Sequence, residues 1–274
     1  MLTQTLAFIG GGNMARSLIG GLIAQGLPAT QITVSDPMES QRAHLQRDYG
    51  VHVTANNETA CAAQIIVLAV KPQELRQVAE QLRRHIASHR PLIISVAAGI
   101  RASDLHHWLG LPVVRTMPNR PALNSCGVTG MYASPEVPTA QRELAERIMN
   151  AVGTSVWVEQ ETLIDAVTAV SGSGPAYFFL LMELLEAAGV AQGLPEATAR
   201  KLAIETAYGA GMMAHHGSDA PATLRAQVTS KGGTTAAALA IFEAQGLKNT
   251  VFAAVQAAAD RSAELAVLLG GNKG

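Results

Sequence analysis

Leu6-Ala7-Phe8-Ile9-Gly10-Gly11-Gly12-Asn13-Met14-Ala15 passes from four apolar residues into three glycines, and Leu18, Ile19, Leu22 and Ile23 then recur at helical spacing. Read outward, this is a strand, a glycine turn and a helix, with Gly10, Gly12 and Ala15 in the G-x-G-x-x-A register. Each position has a physical reason. Gly10 permits the tight turn, Gly12 lets the backbone approach a pyrophosphate, and Ala15 lets the helix pack closely on its strand. The N–H groups at the helix start lack intrahelical partners and carry positive potential, so they suit phosphate oxygens. A glycine turn by itself often does nothing but turn. This one gains weight from its place at the head of an alternating strand and helix pattern.

That pattern fills the first half of the chain. Leu6–Ile9, Ile32–Ser35, Val51–Thr54, Ile65–Ala69, Leu92–Val96 and Val113–Thr116 are strand candidates, with helical periodicity between most of them. Such alternation predicts an α/β fold built on a Rossmann-like, doubly wound parallel sheet with helices on both faces. Gly127–Tyr132 and Ser155–Val158, flanking a helix near Thr139–Ala151, predict an extension of the sheet. After Glu159 strand signals stop, and helices follow one another, broken at Gly172–Pro175, Gly193–Pro195, Gly217–Pro221 and Gly232–Gly233. The expected domains are therefore 1–160, dinucleotide-binding, and 161–274, all-α.

Ligands of a doubly wound sheet lie beyond the carboxyl ends of its strands. Asp36 ends the second strand, where an acid can accept from the ribose hydroxyls of NAD; equally, Asp36-Pro37 can simply open a turn. Ser35, Arg42 and Asn56 offer donors to a 2′-phosphate, so this end of the groove leaves the coenzyme open. Ala69-Val70-Lys71-Pro72, Ala97-Ala98-Gly99 and Met117-Pro118-Asn119 stand at three further strand ends. Their small side chains admit a nicotinamide ring and their prolines fix loop shape.

Composition narrows the partners. The 274 residues are 48% hydrophobic and only 15% charged, with a formal net charge of −1, so no basic field exists for nucleic acid. Cys61 and Cys126 fit neither a metal site nor a disulfide scaffold and are expected as reduced thiols, with no metal bound. Met1 to Gly10 lacks the basic region of a secretion signal, which leads to a cytoplasmic expectation. The Ala176–Val190 segment is apolar on nearly every face except at Glu183 and Glu186, and it falls short of the roughly 20 residues of a bilayer span. It therefore reads as a buried helix, with Tyr177 and Met182 in the core and the glutamates at a seam between subunits. A small helical domain could not cover it alone, so an intertwined helical homodimer is expected.

Phe8 to Ala15, Ala69 to Pro72, Met117 to Asn119, Ser171-Gly172-Ser173-Gly174-Pro175-Ala176-Tyr177 and Val228-Thr229-Ser230-Lys231-Gly232-Gly233-Thr234-Thr235 together resemble the ordered motif set of pyrroline-5-carboxylate reductases. The last two are the most specific, and the set spans almost the whole chain. The resemblance implies a Rossmann domain followed by a helical dimerisation domain, assembly to a decamer in many members, and reduction of a cyclic imine to proline. It also implies NADPH as the usual coenzyme, with NADH as the alternative. Arg120 replaces the usual threonine after Met-Pro-Asn, Lys231 replaces a common proline, and Asp36 stands where many members bind a 2′-phosphate.

A protonated imine carbon is already electrophilic, so hydride transfer to it needs positioning more than strong acid catalysis. Ser230, Lys231, Gly232, Gly233, Thr234 and Thr235 precede or open a helix, and the glycines free N–H groups to converge on an anion, which suits the substrate carboxylate. The resemblance assigns Thr235 the hydrogen bond to the ring nitrogen; without it, a threonine cap would be the plainer reading. A helical-half loop serving a sheet-bound nicotinamide would come from the other subunit of a swapped dimer. Two other functions compete. A β-hydroxyacid dehydrogenase would carry a lysine on the helix after the junction, which Pro175–Val190 lacks. A non-catalytic NAD(P) sensor would not need a second anion-suited loop.

Overall fold

The structure is a computed structural model and describes residues 2–271. Eight strands form one sheet in the order β3-β2-β1-β4-β5-β6-β7-β8: β1 Leu6–Ile9, β2 Ile32–Ser35, β3 His52–Thr54, β4 Ile65–Leu68, β5 Leu92–Ser95, β6 Val113–Pro118, β7 Gly127–Ala133 and β8 Gly153–Trp157. The helices are α1 Asn13–Ala24, α2 Glu39–Tyr49, α3 Asn57–Ala60, α4 Pro72–Ile86, α5 Ala102–Leu109, α6 Thr139–Met149, α7 Leu163–Val167, α8 Gly174–Ala191, α9 Glu196–His216, α10 Pro221–Gln227, α11 Thr234–Ala244 and α12 Leu247–Gly270.

β1 through β6 run parallel, and β1 has β2 on one side and β4 on the other. The strand order reverses there, which opens a crevice at the carboxyl ends of β1 and β4. β7 is antiparallel to β6, with Met117 opposite Gly130. The reason lies in the link: a single 3-10 turn at Arg120–Asn124 is shorter than the dozen or so residues a parallel crossover needs. α6 provides such a crossover, and β8 returns parallel to β7. The doubly wound expectation holds, and the sheet does extend past its nucleotide half.

Alternate strand residues feed two cores. Leu6 and Phe8 pack with Leu18, Ile19 and Ile148 on one face, while Ala7 and Ile9 pack with Leu75, Leu82 and Trp108 on the other. Because both faces are covered, the four residues of β1, of β4 and of β5 are all buried.

Packing divides the chain into two compact units: residues up to Ser173 together with those from Ala258 on, and Gly174–Ala257. Strands end at Trp157, close to the boundary read near 160, but the sheet unit continues. α7 and a following π turn at Thr168–Gly172 lie on the sheet, with Gly130 leaving no room for a Cβ beneath Val167. The last turns of α12 belong to the sheet unit as well: Ser262 Oγ donates to Asp165 Oδ1 at 2.7 Å, and Leu265 and Leu269 press on Gly99.

In the unit Gly174–Ala257, α8 packs against α9, and Arg200 on α9 grips Glu186 on α8 through two nitrogens at 2.7 and 3.2 Å. Glu186 thus has an ion-pair partner within its own chain. Among the described residues of this unit, only Gly174, Ala199 and Ala203 are buried. Phe178 is 64% exposed and Tyr177 37%, so within one chain α8 is not the covered core helix that the sequence suggests. α7, the π turn and α8 form one run, Leu163–Ala191, long and apolar enough on length and composition alone to cross a bilayer. The expectation that this segment falls short of such a length is corrected by that continuity.

Candidate active site

Gly10 closes the turn between β1 and α1. Its φ is +98°, its N–H donates to Ser35 O at 2.8 Å, and a Cβ there would lie 2.7 Å from Ala69 O. Only glycine meets both demands. At Gly12 the opposite holds: nothing lies within 4 Å of where a Cβ would be, and no side chain caps α1. Open space over an uncapped helix start fits a pyrophosphate. Asn13 is exposed, Met14 half-buried and Ala15 buried against the strand.

Gly11 does something the sequence reading did not foresee. Its N–H donates to Asp36 Oδ2 at 2.8 Å, while Met38 N–H donates to Asp36 Oδ1, also at 2.8 Å. The Asp36 carboxylate is buried and ties the glycine turn to the turn after β2. Of the two readings offered for Asp36, the turn-forming one describes its bonds. Arg42 Nη1 clamps the same turn through the carbonyls of Asp36 and Pro37 at 2.6 and 2.8 Å. Ser35 turns towards α3: its hydroxyl donates to Asn57 Oδ1 at 2.6 Å. Asn56 is exposed; its Oδ1 caps α3 by accepting from Glu58 N–H at 2.8 Å, which leaves its Nδ2 as a donor.

The remaining loops stand at the same end of the sheet. Ala69 and Val70 are half-buried, Lys71 is exposed, and Pro72 occupies the first turn of α4, where a missing N–H costs nothing. Ala97 is buried, Ala98 exposed, and Gly99 has φ +71°. Met117 is half-buried, whereas Pro118 and Asn119 are buried. The Asn119 amide is used at both ends, donating to Ser171 O at 3.1 Å and accepting from Val128 N–H at 2.9 Å. It braces the lip of β6 against the π turn. The parallel sheet therefore gathers Gly10–Ala15, Asp36, Asn56 and the three loops at the carboxyl ends of its strands.

Ser230–Thr235 lies in the helical unit. Gly232 has φ +74°, Gly233 N–H donates to Ser230 O at 3.1 Å, and a Cβ on Gly233 would collide with Ser230 Oγ. Gly233 is itself the N-cap of α11 and no side chain caps that helix, so Thr235, in its first turn and half-buried, does not spend its hydroxyl on capping. The plain cap reading for this threonine is set aside. Ser230, Lys231, Gly232 and Thr234 are exposed.

Burial pushes the Cys61 thiol up to about 11, with Glu58 adding to the effect, which makes it a core residue rather than a nucleophile. Among the described residues no group of three or more His, Cys, Asp or Glu could hold a metal ion. Two polar groups near the site went unread in the sequence, half-buried Asn57 and buried Arg115. The second had a signal: an arginine inside an apolar strand run must find a buried partner.

A glycine turn at the switch point of a parallel sheet, with small residues and prolines at the neighbouring strand ends, defines the class of Rossmann-type dinucleotide-dependent oxidoreductases. Residues 5–99 match the family model for NADP oxidoreductase, coenzyme F420-dependent, and residues 161–265 match that for pyrroline-5-carboxylate reductase dimerisation. Pyrroline-5-carboxylate reductase of Pseudomonas aeruginosa is 50% identical over 273 residues, covering 98% of this chain and 100% of the relative. The structure of a pyrroline-5-carboxylate reductase from Coxiella burnetii superposes with a TM-score of 0.93 at 40% identity, covering 96% of this chain and 99% of the other. That of Plasmodium falciparum pyrroline carboxylate reductase, with NADP bound, gives 0.83 at 27% identity, covering 97% and 99%. This chain belongs to the pyrroline-5-carboxylate reductase family.

Proposed function

We propose that this protein reduces 1-pyrroline-5-carboxylate to L-proline with NAD(P)H, the last step of proline biosynthesis. The observation that carries the reading is the match to a named reductase over 98% of the chain, with both glycine turns inside it. When bound, the coenzyme supplies the hydride that the imine carbon accepts. The chain's own work is placement. Gly12 and the first turn of α1, from Asn13 to Ala15, receive the pyrophosphate, and Gly10 and Gly11 hold the turn in shape. Asn56 offers its amide to the adenosine end. Each Asp36 oxygen accepts one backbone N–H and keeps a second lone pair for a ribose hydroxyl, so the preference for NADPH over NADH rests on the family and not on this carboxylate. Ala69–Pro72, Ala97–Gly99 and Met117–Asn119 flank the nicotinamide.

Ser230, Lys231, Gly232, Gly233 and Thr234 take the substrate carboxylate through N–H groups and positive charge. Thr235 places its hydroxyl against the ring nitrogen, which arrives protonated from water and becomes the amine of proline. The partners are the small-molecule substrate and further copies of this chain: a homodimer, with decamers as the higher assembly, working in the cytoplasm. The apolar surface of Leu163–Ala191 coincides with the segment matched as a dimerisation domain, so we assign it to self-association and not to a bilayer.

The test is a coenzyme-absorbance assay of purified protein with pyrroline-5-carboxylate, then with 2-keto and 3-hydroxy acids. Turnover with the imine alone, at higher kcat/KM for NADPH than for NADH, is expected. Turnover with the acids and none with the imine would replace this reading with a dehydrogenase; binding of coenzyme without any turnover would replace it with a sensor.

A further inference from the structure

Glu161 lies between β8 and α7, outside every motif considered so far. Its Oε1 accepts from Ala102 N–H at 2.5 Å and from Arg115 Nη1 at 2.9 Å. The Arg115 side chain is 3% exposed and that of Glu161 19%, so this is a nearly dry ion pair. A buried guanidinium without its carboxylate is strongly disfavoured, which fixes the two side chains on one another. The same oxygen satisfies an N–H in the first turn of α5, one of the donors that a helix start leaves open.

What the carboxylate joins matters more than the pair itself. Ala102 follows Gly99 by three residues, and Arg115 precedes Met117 by two. One oxygen atom therefore couples the turn after β5 to the lip of β6, the two loops assigned above to the nicotinamide half of the coenzyme. Thr116 Oγ1 adds a second tie by donating to Ser95 O at 2.9 Å. From behind, Leu269 Cδ1 lies 3.1 Å from where a Cβ on Gly99 would be, so the turn cannot retreat in that direction. Of its three residues only Ala98 is exposed.

We infer that Glu161 is a positioning residue for the coenzyme: through Arg115 and the Ala102 amide it sets the spacing of the Ala97–Gly99 and Met117–Asn119 loops. Hydride transfer requires reacting atoms about 3–3.5 Å apart, and misplacement by about 1 Å can cost about a hundredfold in rate. A tie between two flanking loops controls that distance without touching either reactant. This inference rests on the proposed reductase reading, so the parent protein must first show NADPH binding and imine turnover; failure there defeats the reading and says nothing of Glu161.

The decisive variant is R115M/E161M, in which apolar side chains of similar length replace the pair, an exchange that buried ion pairs often tolerate. With its thermal midpoint near the parent's, its Kd for NADPH by fluorescence titration should rise by about tenfold and kcat should fall, well within what loop misplacement can produce. KM for the imine at saturating NADPH should stay at the parental value. Parental Kd and kcat in this folded variant overturn the proposal. If the double variant does not fold, E161Q, measured below its own melting temperature, decides by the same criterion: weakened NADPH binding with unchanged imine KM supports it, and parental binding with only a lowered midpoint overturns it.

Discussion

Gly10 is where the backbone leaves least choice, since a Cβ would meet Ala69 O at 2.7 Å and φ is already +98°. Gly10→Ala should lower stability by about 1–3 kcal/mol through strain alone and abolish measurable NADPH binding, as read by thermal melting and fluorescence titration. Parental binding by this variant would mean that the turn does not hold the pyrophosphate. Thr235 makes a different kind of claim. With Gly233 as the N-cap of α11, its hydroxyl is available to substrate, and Thr235→Ala should lower kcat/KM by about 1–3 kcal/mol with little change in melting temperature. If turnover stays the same, the threonine has no part in the reaction. Glycines were legible at this scale because their spacing encodes backbone geometry. Ser35 and Asp36 were legible only as polar residues at a strand end: which way each would point depended on Asn57 and on the Gly11 and Met38 amides, contacts no local pattern records.

Among elements, all eight strands were placed to within a few residues: β1, β4 and β5, buried on both faces, read as continuous hydrophobic stretches, whereas the edge strands β3 and β8 hold no buried residue and showed only as short β-rich runs. The packing of the chain after β8 was not legible. Nothing in Thr168–Gly172 announces a π turn, or that the Asn119 amide would accept its place beside Ser171. Nor does the sequence show that the C-terminal turns of α12 settle on the start of α5. That contact has an electrostatic consequence. Asp104, in the first turn of α5, accepts from the Arg101 N–H, yet burial raises its pKa above 3.8, with Glu161 adding to the rise, and Gly270 at the end of α12 lies against it. A carboxyl whose folded pKa exceeds its unfolded value stabilises most below the unfolded value, and that contribution is lost as pH rises through the folded one. At neutral pH the ionised side chain is therefore a liability. Asp104→Asn, which keeps the acceptor, should raise the melting temperature relative to the parent at pH 7 and lose that advantage as pH falls below about 4. The gain should be small, because the group is only half-buried and solvent screens it. An advantage that grows on acidification would reverse the sign and refute the account.

At the scale of the molecule, the helical unit cannot be explained by one chain. Its described residues bury a glycine and two alanines, while Phe178, Phe179, Leu184, Tyr208 and Phe252 are each more than half exposed. Such a surface holds far more apolar area than monomers leave in water. The sequence carried part of this: α8 is apolar on almost every side, and a helix of that kind must be covered all round. It could not say that the cover would be missing from the same chain, since periodicity reports how apolar a face is and not which molecule meets it. Self-association of the family's dimerisation domain supplies the cover. When folding and association are one event, stability depends on concentration, because only the assembled state is favoured by mass action. The melting midpoint should therefore rise by several degrees over about a hundredfold increase in protein concentration, with sedimentation showing dimers or larger species throughout. Phe178→Glu, a charge in the middle of that surface, should lower the midpoint and shift the sedimenting species downward. A midpoint independent of concentration, together with a well-folded monomer in sedimentation, would show that the apolar helices find cover some other way, and the assignment of this surface to a second copy would fail.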